Sequence, residues 1–123
     1  MAGRFVVQRH RTRKAHFDLR LLEEERVRSW SLLRTPPLRA GEQRLAIERE
    51  GGPASQINPP VLEEAAFGRG KTYVWDQGDL NIRSASPQRL VLSLEGAKMA
   101  GTYELRRMSW YPGDRWLIRK TGS

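Results

Sequence analysis

The densest chemistry in this chain lies in Arg9-His10-Arg11-Thr12-Arg13-Lys14-Ala15-His16-Phe17-Asp18-Leu19-Arg20, a stretch that holds both of its histidines. From His16 to Leu21 the types alternate, with His16, Asp18 and Arg20 on one side and Phe17, Leu19 and Leu21 on the other. That period of two belongs to a strand with one buried face, so the first set is expected on an outer wall and the second in a core. If residues 5–10 pair as a hairpin with residues 16–21, His10 falls opposite His16 with Cβ atoms roughly 5 Å apart. Two imidazoles and a carboxylate on one rigid patch make a facial set for a divalent metal, with positions left for water and substrate. Arg20, on the same face, offers a bidentate donor to a phosphate oxygen. Arg9, Arg11, Arg13 and Lys14 surround the patch with positive charge of the kind that attracts a phosphodiester backbone. Incidental histidines on a solvated strand face are the alternative that spacing alone leaves open.

The elements that must position these groups read as strands. Short runs rich in Val, Ile, Thr, Trp and Tyr are broken by Gly, Pro, Asn and Asp, as in an all-β domain. Strands are predicted at Arg4–Arg9, Ala15–Leu22, Val27–Leu33 and Leu45–Arg49, then at Lys71–Trp75, Leu80–Ser84, Arg89–Leu94, Thr102–Met108 and Arg115–Lys120. Turn chemistry separates several of them, at Asp76-Gln77-Gly78, Ser86-Pro87, Glu95-Gly96 and Pro112-Gly113-Asp114. Nine short strands in 123 residues favour a closed antiparallel barrel, or a sandwich, over one flat open sheet with exposed edges. Residues 51–70, with Gly51-Gly52-Pro53 and Pro59-Pro60, read as one long irregular loop. At most a short helix is expected there, over Val61–Phe67.

Composition narrows the partners. The 22 Lys and Arg against 14 Asp and Glu give a net charge of +8, which favours a polyanion, nucleic acid first and an anionic membrane surface second. There are no cysteines, which excludes disulfides and thiolate metal sites. Met1-Ala2-Gly3-Arg4-Phe5 lacks the apolar run of a signal peptide, and no stretch approaches the roughly 20 apolar residues of a membrane span. One domain over residues 1–123 is expected, in a soluble, cytoplasmic, monomeric protein.

The same residues carry a family resemblance. Phe5-Val6-Val7-Gln8-Arg9-His10 and Ala15-His16-Phe17-Asp18-Leu19-Arg20 resemble the signature of the 3′-phosphoesterase domain of bacterial DNA ligase D, a Phe-Val-Val-Gln run and His, then Leu-His-Tyr-Asp-Leu-Arg. Ser29-Trp30-Ser31-Leu32-Leu33-Arg34-Thr35-Pro36, Arg44-Leu45-Ala46-Ile47-Glu48, Tyr73-Val74-Trp75-Asp76-Gln77-Gly78 and Trp116-Leu117-Ile118-Arg119-Lys120 resemble later family blocks, in order along almost the whole chain. The resemblance implies a β-barrel with its site on the outer surface and manganese as the metal. It also implies removal of a 3′-terminal ribonucleotide or a 3′-phosphate, leaving a 3′-hydroxyl for the polymerase and ligase of end joining. Carried over by position, His10, His16 and Asp18 hold the metal and Arg20 clamps the phosphate. Arg34 and Arg44 are implied as flanking phosphate or site-supporting contacts.

Several departures from the family weaken the expected catalysis. The family's Glu-Asp-His-Pro block, whose His contacts the scissile phosphate, reads Glu50-Gly51-Gly52-Pro53, and the chain has no third histidine. Its Pro-Glu-Gly-x-Tyr-Gly-x-Gly block reads Glu63-Glu64-Ala65-Ala66-Phe67-Gly68-Arg69-Gly70, and only Met1–Arg4 stand where the family has a charged N-terminal arm. One lost charge-assisted contact to a transition state costs about 2.7–4 kcal/mol. The leading expectation is a metal-dependent phosphoesterase with reduced turnover. A non-catalytic module that binds nucleic acid or end-joining partners is the alternative.

Overall fold

The computed structural model describes residues 2–11, 15–51, 71–108 and 113–122. Among these are eight strands and no helix: β1 Ala2–Arg11, β2 His16–Glu23, β3 Arg26–Leu32, β4 Gln43–Arg49, β5 Lys71–Ser86, β6 Arg89–Gly96, β7 Ala100–Arg107 and β8 Arg115–Gly122. They close into an antiparallel barrel in the order β1-β2-β3-β4-β8-β7-β6-β5. Closure gives every strand a neighbour on both sides, with β3 and β4 paired over Ser29–Ser31 alone, which is how a short all-β chain limits edge-to-edge association.

Alternation fills the interior. Phe17, Leu19 and Leu21 of β2 are buried while His16, Asp18 and Arg20 between them are half-buried on the outer wall. The core gathers Phe5 and Val7 from β1, Trp30 and Leu32 from β3, and Trp116 and Ile118 from β8. Trp30 meets Trp116 edge to face at 5.7 Å, a geometry that rings prefer over stacking face to face. Arg28 lies over both indoles and pairs with Glu48 at 2.8 Å. Glu48 also accepts a hydrogen bond from Trp116 Nε1. The stretch between β3 and β4 contributes buried Pro36 and Pro37, and the Pro37 carbonyl accepts a 2.7 Å bond from the buried Tyr103 hydroxyl.

The predicted strands at Lys71–Trp75 and Leu80–Ser84 are one continuous strand, so the described residues hold eight strands rather than nine and no turn at Asp76-Gln77-Gly78. The residue types that signal a turn do other work here. The buried Asp76 carboxylate accepts backbone N–H bonds from Gln77, Ala97, Lys98 and Met99, and so holds the tight β6–β7 connection. A Cβ at Gly78 would overlap the Glu95 carbonyl, so glycine lets two strands approach closely. The strand bends instead at two register shifts, one at Trp75 in its pairing with β1 and one at Arg83 in its pairing with β6. Residues 52–70, including the expected short helix, lie outside the described residues.

Candidate metal centre

The first hairpin has the register its alternation predicts, running from Phe5↔Leu21 to His10↔His16. The two imidazoles stack with centroids 4.6 Å apart and planes 10° from parallel. Asp18, two residues along β2 on the same outer face, brings Oδ2 to 2.7 Å from His10 Nε2 and 3.7 Å from His16 Nε2. One potential ligand atom from each of the three lies within 4.8 Å of the others.

Neighbouring strands orient the set. Ser31 of β3, directly across from Asp18, donates a 2.7 Å bond to Oδ1 and leaves Oδ2 turned toward the imidazoles. Thr72 of β5, directly across from His10, lies 2.9 Å from Nδ1. With Nδ1 engaged, Nε2 is the ring atom that faces inward to the cluster. It is buried and, despite its closeness to Asp18, has no aligned hydrogen bond. A buried ring nitrogen beside a second imidazole and a carboxylate fits the donor set that holds a divalent cation. Outer partners on both His10 and Asp18 also match the way ligands of such sites are held.

Burial of the Asp18 carboxyl pushes its pKa up. The His10 contact, the Ser31 hydroxyl and the charge of His10 and His16 when protonated outweigh that, so Asp18 falls below the ordinary value of 3.8. The carboxylate is therefore ionised and ready as a ligand at neutral pH.

Beside the triad runs an open groove of about 440 Å³, lined by His16, Asp18, Arg20, Ser29, Ser31, Leu33, Ile47, Arg49 and Glu50. Arg20 stands in it as expected, with Nε buried and unpartnered among the described residues. Arg34 and Arg44 line a neighbouring hollow of about 320 Å³ that shares Ser31, Leu33 and Ile47 with the groove. The Arg44 guanidinium donates to the Thr35 and Gln43 carbonyls, which ties it to the β3–β4 connection. Arg9 alternates away from His10, lying over the Phe17 ring at 5.3 Å and reaching the Tyr73 hydroxyl. Arg11 is exposed at the end of β1, while Arg13, Lys14 and Gly52 lie outside the described residues. Sequence reasoning missed Ser31 and Thr72. The outward parity of Ser29 and Ser31 about the buried Trp30 was the available signal for the first, and none marked the second.

A closed antiparallel barrel carrying a His/His/Asp cluster and an arginine on its outer wall defines a class of β-barrels with a surface site whose donors could hold a metal. Residues 8–107 match the family described as the DNA ligase D 3′-phosphoesterase domain, and the chain belongs to that family. It is 28% identical over 121 residues to the multifunctional non-homologous end joining protein LigD of Mycobacterium bovis, covering 94% of this chain and 16% of that protein. The LigD of Mycolicibacterium smegmatis is 26% identical over 129 residues, covering 95% of this chain and 16% of the relative. That of Pseudomonas aeruginosa is 28% identical over 110 residues, covering 85% and 13%. The chain thus corresponds to a minor part of the length of these relatives. Among the described residues, no helix is long and apolar enough to cross a membrane.

Proposed function

We propose that this chain is a metal-dependent phosphoesterase domain that processes nucleic-acid 3′ ends in end joining, with manganese as its metal and reduced turnover. The observation that carries the reading is the convergence of His10, His16 and Asp18, held by Thr72 and Ser31, on the outer wall of a barrel of this family. Bound by these three, the metal would supply a polarised phosphoryl oxygen and a water of lowered pKa. Asp18, kept ionised by its surroundings, offsets part of the cation's charge. Arg20 binds a phosphate oxygen in the groove, and exposed Arg11 draws the backbone toward it. Reduced turnover rests on Gly52 standing where the family carries its phosphate-contacting histidine. DNA 3′ ends are the proposed partner, and the polymerase and ligase of end joining the proposed users of the product.

The test is to incubate purified protein with Mn²⁺ and a primer-template ending in a 3′-ribonucleotide or a 3′-phosphate, beside an Asp18→Ala control. Slow, Mn²⁺-dependent release that the control lacks is expected. If Mn²⁺ binds at the triad and neither substrate is processed, the chain is a binding module, the reading that Gly52 favours. Restoring Gly52→His, against Gly52→Ala for the backbone cost, should then leave activity absent; a gain confined to the histidine variant supports the enzyme.

A further inference from the structure

Both histidines of the chain belong to the metal set, so further cations that reach an anion in the groove are arginines. The groove holds two, Arg20 and Arg49. They stand in one register row across three strands, Arg20 of β2 paired with Ser29 of β3 and Ser29 paired with Arg49 of β4. Two strand spacings put their Cα atoms about 10 Å apart. The residue between them is a small, buried serine, so no bulky side chain separates the guanidinium groups. The Asp18–Ser31–Ile47 row, which carries the metal ligand, lies two residues along on the same face.

Several arginines elsewhere on the barrel are engaged by carboxylates. Arg28 pairs with Glu48, Arg44 with Glu42, Arg89 and Arg106 with Glu104, and Arg115 with Asp114. Among the described residues, Arg20 and Arg49 pair with no carboxylate, although Asp18 and Glu50 line the same groove. Asp18 is turned instead to the histidines and Ser31. Two guanidinium groups that pair with no described carboxylate, on either side of a small floor, suit an anion with several oxygens in one plane of approach.

We propose that Arg49 is a second phosphate-binding residue of this site, which with Arg20 clamps a terminal phosphomonoester over Ser29. The inference rests on the proposed 3′-end reading and specifies its substrate class. A 3′-terminal monoester carries roughly −1.5 to −2 charge at pH 7 and three free oxygens, against a single charge on an internal diester. The clamp therefore favours 3′-phosphate ends over 3′-ribonucleotide ends.

The test is binding without metal. Two labelled oligonucleotides, identical except for a 3′-phosphate or a 3′-hydroxyl, are titrated in EDTA with wild type, Arg49→Ala and Arg11→Ala, and followed by fluorescence anisotropy. Wild type should prefer the 3′-phosphate by more than tenfold. Arg49→Ala should cut that preference about tenfold, as expected for one charge-assisted contact, while Arg11→Ala weakens both oligonucleotides alike. Arg49 is exposed, so the variant should keep the wild-type circular dichroism spectrum. A wild type indifferent to the 3′ group, or an Arg49→Ala that weakens both equally, overturns the clamp. A parallel Mn²⁺ titration separates the two claims. Binding of Mn²⁺ without end preference sinks the clamp alone, and end preference without Mn²⁺ binding sinks the metal reading alone.

Discussion

Ser31→Ala tests whether the triad is a built metal site or a chance cluster. The Ser31 hydroxyl donates to Asp18 Oδ1 at 2.7 Å, and the Asp18 side chain is only 13% exposed. A hydrogen bond to a charged group with so little competing water contributes about 1.5–3 kcal/mol. The same bond keeps Oδ2 facing the imidazoles. Removing it frees the carboxylate to turn and raises the Asp18 pKa, because one of the contacts that outweigh its burial is gone. An outer partner of this kind is worth about 10–100-fold in metal affinity, the same range as the hydrogen-bond figure. Isothermal calorimetry with Mn²⁺ at pH 7 should show that loss for Ser31→Ala and little of it for Ser31→Thr, which keeps the hydroxyl. Without metal, the stability that the depressed Asp18 pKa contributes is present above its ordinary value of 3.8 and lost as pH falls through the folded value. In Ser31→Ala, whose folded value lies nearer 3.8, that contribution should be smaller and its loss complete at higher pH. An alanine variant that binds Mn²⁺ within twofold of wild type, while Asp18→Ala binds none, would refute Ser31 as a positioning residue.

Saturating Mn²⁺ at about 100 times its dissociation constant should stabilise the fold by about 2.7 kcal/mol, seen as a raised melting temperature that is absent in Asp18→Ala. Buried Tyr103 has its hydroxyl pushed up to about 12 by burial and by the charges of Asp76 and Glu42. Its contribution is full below pH 10 and is lost as pH rises toward 12, so unfolding measured across that window should steepen in wild type and flatten in Tyr103→Phe. Gly51→Ala should destabilise by about 1–3 kcal/mol in urea titrations, because a Cβ there would overlap the Val27 carbonyl where the chain leaves β4. A midpoint unchanged from wild type would show that this exit relaxes freely.

The site was legible where one physical rule governed both faces of a strand. In His16–Leu21 the apolar residues had to enter the core, and that fixed the outward set; the supposed hairpin with residues 5–10 is the one observed. The rule also bears on Arg9, grouped with the cations around His10 by composition although its parity places it over Phe17. β5 was misread because Asp76 and Gly78 have the types of a turn; their work, holding the 97–99 connection and admitting the Glu95 carbonyl, depends on residues about 20 positions away. Thr72 was invisible for the same reason, since it meets His10 only because β5 closes the barrel onto β1.

That closure has a consequence for how this family member diverges. His10, His16, Asp18, Ser31 and Thr72 all sit on paired strands whose opposite faces are locked into one core. The ordering entropy of the ligands is therefore met by folding itself and not by metal binding. The departures at Gly52 and Phe67 fall in the segment between β4 and β5, on neither of those strands. On the proposed reading, changes there should alter turnover and leave the metal set as it is. Metal affinity and turnover should accordingly vary independently among variants: substitutions at Ser31 and Thr72 move the first and with it the second, whereas Gly52→His moves only the second. A Gly52→His protein with altered Mn²⁺ affinity would show that the segment after β4 shapes the metal set directly, and that the outer wall is not the self-sufficient platform its strand pairing describes.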